Sequence, residues 1–339
     1  MSLGFASLQE YFRIIGGVDI NSTSLKTYEL NYGTPVMNAD ITTISPKSNV
    51  IQQTFKMDNN RPLVVIGCAP CQGFSAHRKK DSNKPEDKRN TLIGYFSDIA
   101  VNLNPDFIVM ENVPEILTGK YKKHYEEAKK VFTQNGYHVV QRVYNAAGFG
   151  VPQARIRAII VASKYKNFVL PDEILSAEEY KTVCDAIADL PHVDARHQTQ
   201  MIDRYHRCSA HKQSTIDVIA QVPHDGGSRP KGVGPKCLDK VNGFSDVYGR
   251  LRWDKPSVTI TQYARNPASG RYSHPEQDRG LTIREVARLQ SFPDGYLWNG
   301  SLGDAFKQIG EAVPPLLALA IATQIALTIK TKENNEQSI

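Results

Sequence analysis

Cysteine is scarce in this chain: 339 residues carry five, an odd and widely spread set that argues against a disulfide framework and for a reducing compartment. Cys68 and Cys71 stand at CxxC spacing, but Cys184, Cys208 and Cys237 stand alone, so a paired-cysteine zinc site lacks its second half and no metal site is expected. Long apolar runs are missing too. The longest, Ala312 to Ile329, is interrupted by Pro314, Pro315, Thr323 and Gln324, short of a membrane span. Met1 to Phe5 show no basic region ahead of an apolar stretch, so no secretory leader is expected. Neither sign of charge dominates; a formal +6 permits a polyanionic partner without requiring one. Internal repeats and low-complexity tracts are absent. These absences predict a soluble, cytoplasmic, globular protein with one large domain and a smaller one.

What is present alternates. Arg13–Asp19 reads as a strand, followed by a helix from Ser22 to Asn31 with N-cap candidates at Ser22, Thr23 and Ser24 and a stop at Gly33. Val36–Asp40 and Leu63–Gly67 read as further strands, then a helix over Leu92–Leu103 and a buried strand at Phe107–Met110. Tyr121–Asn135 is helical in pattern, and His138–Tyr144 and Ala158–Ala162 are strand-like. Strands alternating with helices over residues 1–163 predict an α/β domain built on a doubly wound, mostly parallel sheet. Across 164–278 the apolar periodicity weakens and Gly, Pro, His and basic residues accumulate, predicting a smaller, loop-rich domain. Order returns over 279–330, with a capping box at Thr282 and Glu285 and a closing helix after Pro314 and Pro315. Residues 331–339 read as a frayed polar tail.

The most informative segment is Pro70-Cys71-Gln72-Gly73-Phe74-Ser75, just past the Leu63–Gly67 strand. Open α/β sheets bind ligands outside the carboxyl ends of their strands, so Cys71 stands where a nucleophile belongs. A redox dithiol, half a zinc site and an inert buried cysteine are the competing readings of this segment alone.

Five segments in order resemble the cytosine-5 DNA methyltransferases of bacteria and phages. Pro70-Cys71-Gln72 is similar to that family's catalytic loop, Glu111-Asn112-Val113 to its Glu-Asn-Val signature, and Gln153-Ala154-Arg155-Ile156-Arg157 to its Gln-x-Arg-x-Arg segment. Arg279 to Glu285, continuing through Leu289 to Asp294, resembles the motif that orients the recognition domain, and Gln308 to Pro314 resembles the last motif. The resemblance implies an S-adenosylmethionine-dependent methyltransferase fold, with 164–278 as target-recognition domain and 279–330 as the return that completes the catalytic domain. It implies double-stranded DNA as partner, a monomer, and a place in a restriction-modification system.

The same resemblance assigns roles. Cys71 attacks carbon 6 of a flipped-out cytosine, making carbon 5 nucleophilic. Glu111 donates a proton or strong hydrogen bond at ring nitrogen 3, for which its pKa must be raised. Arg157 contacts the base carbonyl and Arg155 supports the pocket. Asp19, Ile20, Asp40, Ile41, Pro70, Glu311 and Val313 line the cofactor site. Gln72, Ser75, Arg78, Lys79 and Arg229 contact DNA, with Arg204, Arg207 and Lys231 as further base-reading candidates. Each has a plainer reading. Glu111, Asp19 and Asp40 are cap or surface acids, Arg155 and Arg157 a solvated strand edge, and Arg78-Lys79-Lys80 a solvated run.

Two departures from the family pattern stand out. The family opens with a strand and a Phe-x-Gly-x-Gly-Gly loop; here the sequence starts at the segment after them, Ser2-Leu3-Gly4-Phe5. By the resemblance, that strand lies mid-sheet, and its loss leaves two neighbours with unpaired backbone. The readings kept open are an upstream start, a second chain supplying the strand, a substitute formed by Met1–Phe5, and a non-catalytic DNA-binding relative. Glu311 stands where the family usually has Asn. A tRNA cytosine-5 methyltransferase is the rival within the same chemistry.

Overall fold

The computed structural model describes residues 1–58, 60–68, 91–194, 203–240 and 245–337. In chain order the elements are α1 (Ser2–Ala6), β1 (Gly17–Asp19), α2 (Ser22–Tyr32), β2 (Val36–Asn38), α3 (Val50–Thr54) and β3 (Val64–Gly67). Next come α4 (Leu92–Asn102), β4 (Phe107–Asn112), α5 (Lys122–Gln134), β5 (His138–Asn145) and β6 (Ile156–Ser163). After these lie α6 (Val183–Ile187), α7 (Gln213–Ala220), α8 (Ile283–Leu289), α9 (Leu302–Glu311) and α10 (Pro315–Gln337). The chain forms two compact units. The first comprises Met1–Asn145, Ile156–Glu173 and Leu317–Ile339; the second comprises Ala146–Arg155 and Ile174–Leu316. Among the described residues no single helix is long and apolar enough to cross a membrane.

The first unit is α/β. Its described strands form two sheets, a pair β1-β2 and a group of four in the order β3-β4-β6-β5. Both β1-β2 and β3-β4 are parallel, whereas β6 runs antiparallel to β4 and β5. The sheet is therefore mixed, where alternation of strands and helices had predicted a mostly parallel one. The reason is connection length. A parallel crossover needs a dozen or more residues and usually a helix, but only Ala146–Arg155 separate β5 from β6, so the chain returns antiparallel.

β4 anchors this unit. Phe107, Ile108 and Val109 are wholly buried, and the Phe107 ring stacks on Tyr165 and meets Phe168 edge-on. Ile93 and Ala100 of α4, Tyr125, Ala128 and Phe132 of α5, and Ala158, Ile160 and Ala162 of β6 complete the core on one face. α1 packs on α10 at Gly4, where a Cβ would lie 2.4 Å from the Leu319 amide nitrogen, so only glycine fits. α2 is capped by Asn21, whose side chain accepts from the Ser24 amide, and not by Ser22, Thr23 or Ser24. Asn21 still has extended backbone, the conformation an N-cap requires. Strand β1 is shorter than Arg13–Asp19 suggested, and α10 runs to Gln337 because neither Pro nor Gly interrupts it.

The second unit is dominated by loops, and buried arginines organise it. Arg250 donates to the carbonyls of Val222, His274, Gln277 and Ile219 and pairs with Asp278. Arg279 makes a two-pronged pair with Glu285 at 2.9 and 2.7 Å, and Glu285 also closes the capping box with Thr282. Loop carbonyls that lack a strand ladder are satisfied by guanidinium forks instead.

Candidate active site

β4 and β6 run antiparallel with Asn112 opposite Ala158, so the last residues of β4 lie beside the first residues of β6. This brings two sequence-predicted residues together within the first unit. Arg157 Nε donates to Glu111 Oε1 at 2.8 Å, and Arg157 Nη1 donates to the Ile156 carbonyl at 2.7 Å. The pair is mostly buried, with side chains 13% and 10% exposed. Asn112 turns back to accept from the Val113 amide at 2.9 Å, which fixes the turn after Glu111.

β3 lies on the other side of β4, with Gly67 opposite Met110. The chain therefore leaves β3 at Cys68 alongside Glu111. A Cβ on Gly67 would meet the Phe96 ring of α4 at 2.2 Å, so glycine lets the helix close on the strand end. Pro70, Cys71, Gln72, Ser75, Arg78 and Lys79 lie outside the described residues. The Met1 amino group is also within electrostatic reach, interacting with Cys68 and Glu111; burial holds its pKa below the ordinary value.

At the β1-β2 end, Asp19 is paired through its register with Asn38. Asp19 accepts from the Asn21 amide at 2.7 Å, and Asn38 Nδ2 donates to the carbonyls of Asp19 and Ile20 at 3.1 and 2.9 Å. Ile20 is 70% exposed. Asp40 caps the short 3-10 turn at Ile41–Thr43, and the Thr42 amide and hydroxyl hold its carboxyl below the usual range. Ile41 packs against a cluster of Ile44, Ile51, Phe55 and Ile99. An exposed carboxylate at Asp19 and a half-buried one at Asp40, just past adjacent parallel strands and with the exposed Ile20 next in chain to Asp19, have the chemistry to meet the ribose hydroxyls and purine face of a nucleoside. Asn38, which ties the two strand ends, went unnoticed in the sequence because no motif contains it.

Arg155 sits in the second unit, one residue before the chain enters β6. It is buried and donates to the carbonyls of Ile260, Gly310 and Ala312 at 2.9, 3.2 and 3.1 Å. Gln153 donates to Leu289 O and Gln290 Oε1 and accepts from the Ile260 amide. Gln290 Nε2 in turn donates to Ala312 O at 2.7 Å. Arg155 and Gln290, the latter held by Gln153, clamp the end of α9 at Glu311 and the turn that leads to the buried Val313. At Gly310 a Cβ would come within 2.2 Å of the Gln262 amide nitrogen, so α9 abuts that backbone directly. Arg229 is turned inward: its side chain is 7% exposed, pairs with Asp239 at 2.9 Å and donates to the Val233 carbonyl. The exposed bases of the same loop are Lys231, Lys236 and Lys240. Arg204 stacks on Tyr205, 4.6 Å from the ring centroid. Among the described residues no three His, Cys, Asp or Glu side chains group as metal ligands.

A glutamate and an arginine are thus joined across strand ends, beside the point where the chain leaves β3 at Cys68. Residues 1–327 match the family of C-5 cytosine-specific DNA methylases, and the chain belongs to that family. It is 35% identical over 333 residues to the type II methyltransferase M1.HphI of Haemophilus parahaemolyticus, covering 98% of this chain and 85% of that protein. The type II methylase M.HgiDII of Herpetosiphon aurantiacus is 32% identical over 329 residues, covering 93% of this chain and 89% of the relative. Among solved structures, one described as a DNA modification methyltransferase encoded within an E. coli prophage has a TM-score of 0.73 at 23% identity, covering 97% and 96% of the two chains. The S. pombe Dnmt2 methyltransferase gives 0.58 at 18% identity over 98% and 95%, a likeness of fold. The chain is thus a DNA (cytosine-5) methyltransferase of the type II class, and its family and fold imply S-adenosylmethionine as methyl donor.

Proposed function

We propose that this chain methylates carbon 5 of a cytosine flipped out of duplex DNA, through a covalent bond between Cys71 and the base. The observation that carries this reading is the Glu111–Arg157 pair at the end of β4, beside the point where the chain leaves β3 for the Cys71 loop. In the proposed chemistry the Cys71 thiolate adds to carbon 6, breaking the 5,6 double bond and pushing its electrons towards carbon 5. Glu111 stabilises the ring at nitrogen 3, and Arg157 orients Glu111 and contacts the base carbonyl. S-adenosylmethionine, when bound, supplies an electrophilic methyl group. A base then removes the proton from carbon 5, the double bond re-forms and the thiolate leaves.

Asp19, Ile20, Asp40 and Ile41 would hold the nucleoside end of the donor, with Pro70, Glu311 and Val313 completing the site. Arg155 is assigned to support, since it clamps the turn before Val313. Gln72, Ser75, Arg78 and Lys79 would contact the DNA, and the sequence-independent part of that affinity should fall with salt. Arg229 would act through the loop it braces rather than by reaching a base edge. Duplex DNA containing 5-fluorocytosine tests the nucleophile, because fluorine on carbon 5 cannot leave as a proton and the adduct persists. Wild type should be trapped and Cys71→Ser should not; equal trapping overturns the role of Cys71. Offering labelled donor with duplex DNA or tRNA tests the substrate, and methylation of tRNA alone overturns the DNA reading.

A further inference from the structure

In the second unit, the loop from Pro230 to Lys240 has an apolar side and a basic side. Val233 and Leu238 pack on a cluster of Val218, Ile219, Val222 and Tyr248, while Lys231, Lys236 and Lys240 stand exposed. Arg229 sets the shape of the loop from beneath. It donates to the carbonyls of Pro230 and Val233 at 3.2 and 2.6 Å and pairs with one oxygen of Asp239 at 2.9 Å. The other oxygen of Asp239 accepts from the Gly232 amide at 3.2 Å, closing the loop on itself. Gly232 and Gly234 have φ of +84° and +76°, a left-handed backbone that favours glycine. Residues 229–240 hold four basic side chains and one acid. That acid is Asp239, and hydrogen bonding to the Arg229 guanidinium holds its carboxyl below the usual range. The charge left over is that of the three exposed lysines.

We propose that Lys231, Lys236 and Lys240 form a grip on the phosphates of duplex DNA, held in shape by the Arg229–Asp239 pair and adding affinity without reading bases. The grip rests on the duplex-DNA reading above and deepens it. An ammonium is a point charge with rotating donors and suits a phosphate oxygen, whereas base edges are read best by the forked groups of Arg, Asn and Gln. Positions 230–240 contain no Arg, Asn, Gln, Ser or Thr. The one guanidinium beside them, on Arg229, is turned inward onto loop carbonyls and Asp239. The exposed groups of this loop can therefore hold a backbone but lack a two-pronged partner for a base. Lys231, a base-reading candidate in the sequence, moves to the phosphates on this ground. Because the Arg229–Asp239 pair and the packing of Val233 and Leu238 already fix the loop, little backbone freedom is lost on contact.

The test is binding of the full chain, without methyl donor, to two short duplexes of unrelated sequence over a range of salt. Each phosphate contact that releases a counterion adds about −0.9 to the slope of log K against log salt. Lys231→Gln, Lys236→Gln and Lys240→Gln combined should make the slope shallower by about 2–3. Binding at about 0.1 M salt should weaken by roughly 10²-fold or more, equally on both duplexes. A control carries the same loss of charge at three exposed lysines of the first unit, Lys26→Gln, Lys130→Gln and Lys166→Gln. Its slope should stay within about 1 of wild type. An unchanged slope in the loop variant overturns the proposal, as does an equal change in the control. Weakening on one duplex alone also overturns it, since that is base reading. Wild type that binds tRNA and not duplex overturns the duplex-DNA reading itself, whereas wild type that binds duplex with the slope of the loop variant overturns the grip alone.

Discussion

The two units solve the same problem by different means. In the first, backbone groups of β4 and β6 are satisfied by a ladder and the core is filled by Phe107, Ile108, Ile160 and their neighbours. In the second, the described residues form only isolated bridges, and carbonyls of Ile219, Val222, His274 and Gln277 all depend on one buried side chain, Arg250. A ladder distributes backbone satisfaction over many residues, whereas a guanidinium concentrates it in one. Single substitutions should therefore act differently in the two units.

The largest effect is expected at Arg250. Arg250→Ala leaves buried carbonyls and Asp278 without their partner, and should destabilise the second unit by about 3–5 kcal/mol. Hydrogen exchange resolved by segment should show Ile174–Leu316 opening while β4 and β6 stay protected; uniform opening of both units would break the contrast. In the first unit, Ile160→Ala removes a wholly apolar side chain from the core and should cost about 2–5 kcal/mol, read from denaturant midpoints.

A third difference is pH. His274 is buried near Arg279 and Arg250, and burial pushes its pKa down to about 4 despite the nearby Glu285. The unfolded chain binds a proton at this histidine near its ordinary 6.5, so stability is full above that value and is lost as pH falls towards 4. Glu285, held at about 2 by Arg279, adds a further loss between its ordinary 4.5 and about 2. The second unit should weaken on acidification before the first, by up to a few kcal/mol, and His274→Gln should flatten the slope above pH 4. The smallest effect is Thr282→Ala, which removes one side of the α8 capping box and should cost about 1 kcal/mol.

Much of the first unit was legible in the sequence because its strands are short apolar runs bounded by turn residues. Phe107–Met110 and Ala158–Ala162 sit inside the observed β4 and β6. The direction of β5 and β6 was not legible, because connection length, and not alternation, decides it. The capping box at Thr282 and Glu285 was readable since it is a local pattern, yet its link to Arg279 was not. The pairing of Glu111 with Arg157 follows from antiparallel register, which no sequence motif expresses. Arg229 looked like a free basic residue; its partner Asp239 lies ten residues away across a loop whose shape has no simple code.

The account rests on Glu111 and Arg157 acting on a base rather than bracing β4 against β6. Exchange of the carbon 5 hydrogen of cytosine with solvent measures this without any methyl donor, since in the proposed chemistry addition of Cys71 at carbon 6 would make carbon 5 accept a proton and later release one. With duplex DNA tritiated at carbon 5, wild type should release tritium to water, and Glu111→Gln should release it about 10²-fold or more slowly. Its unfolding midpoint should stay within about 1 kcal/mol of wild type. Equal tritium release by both proteins, or a loss that merely tracks unfolding, would contradict the account.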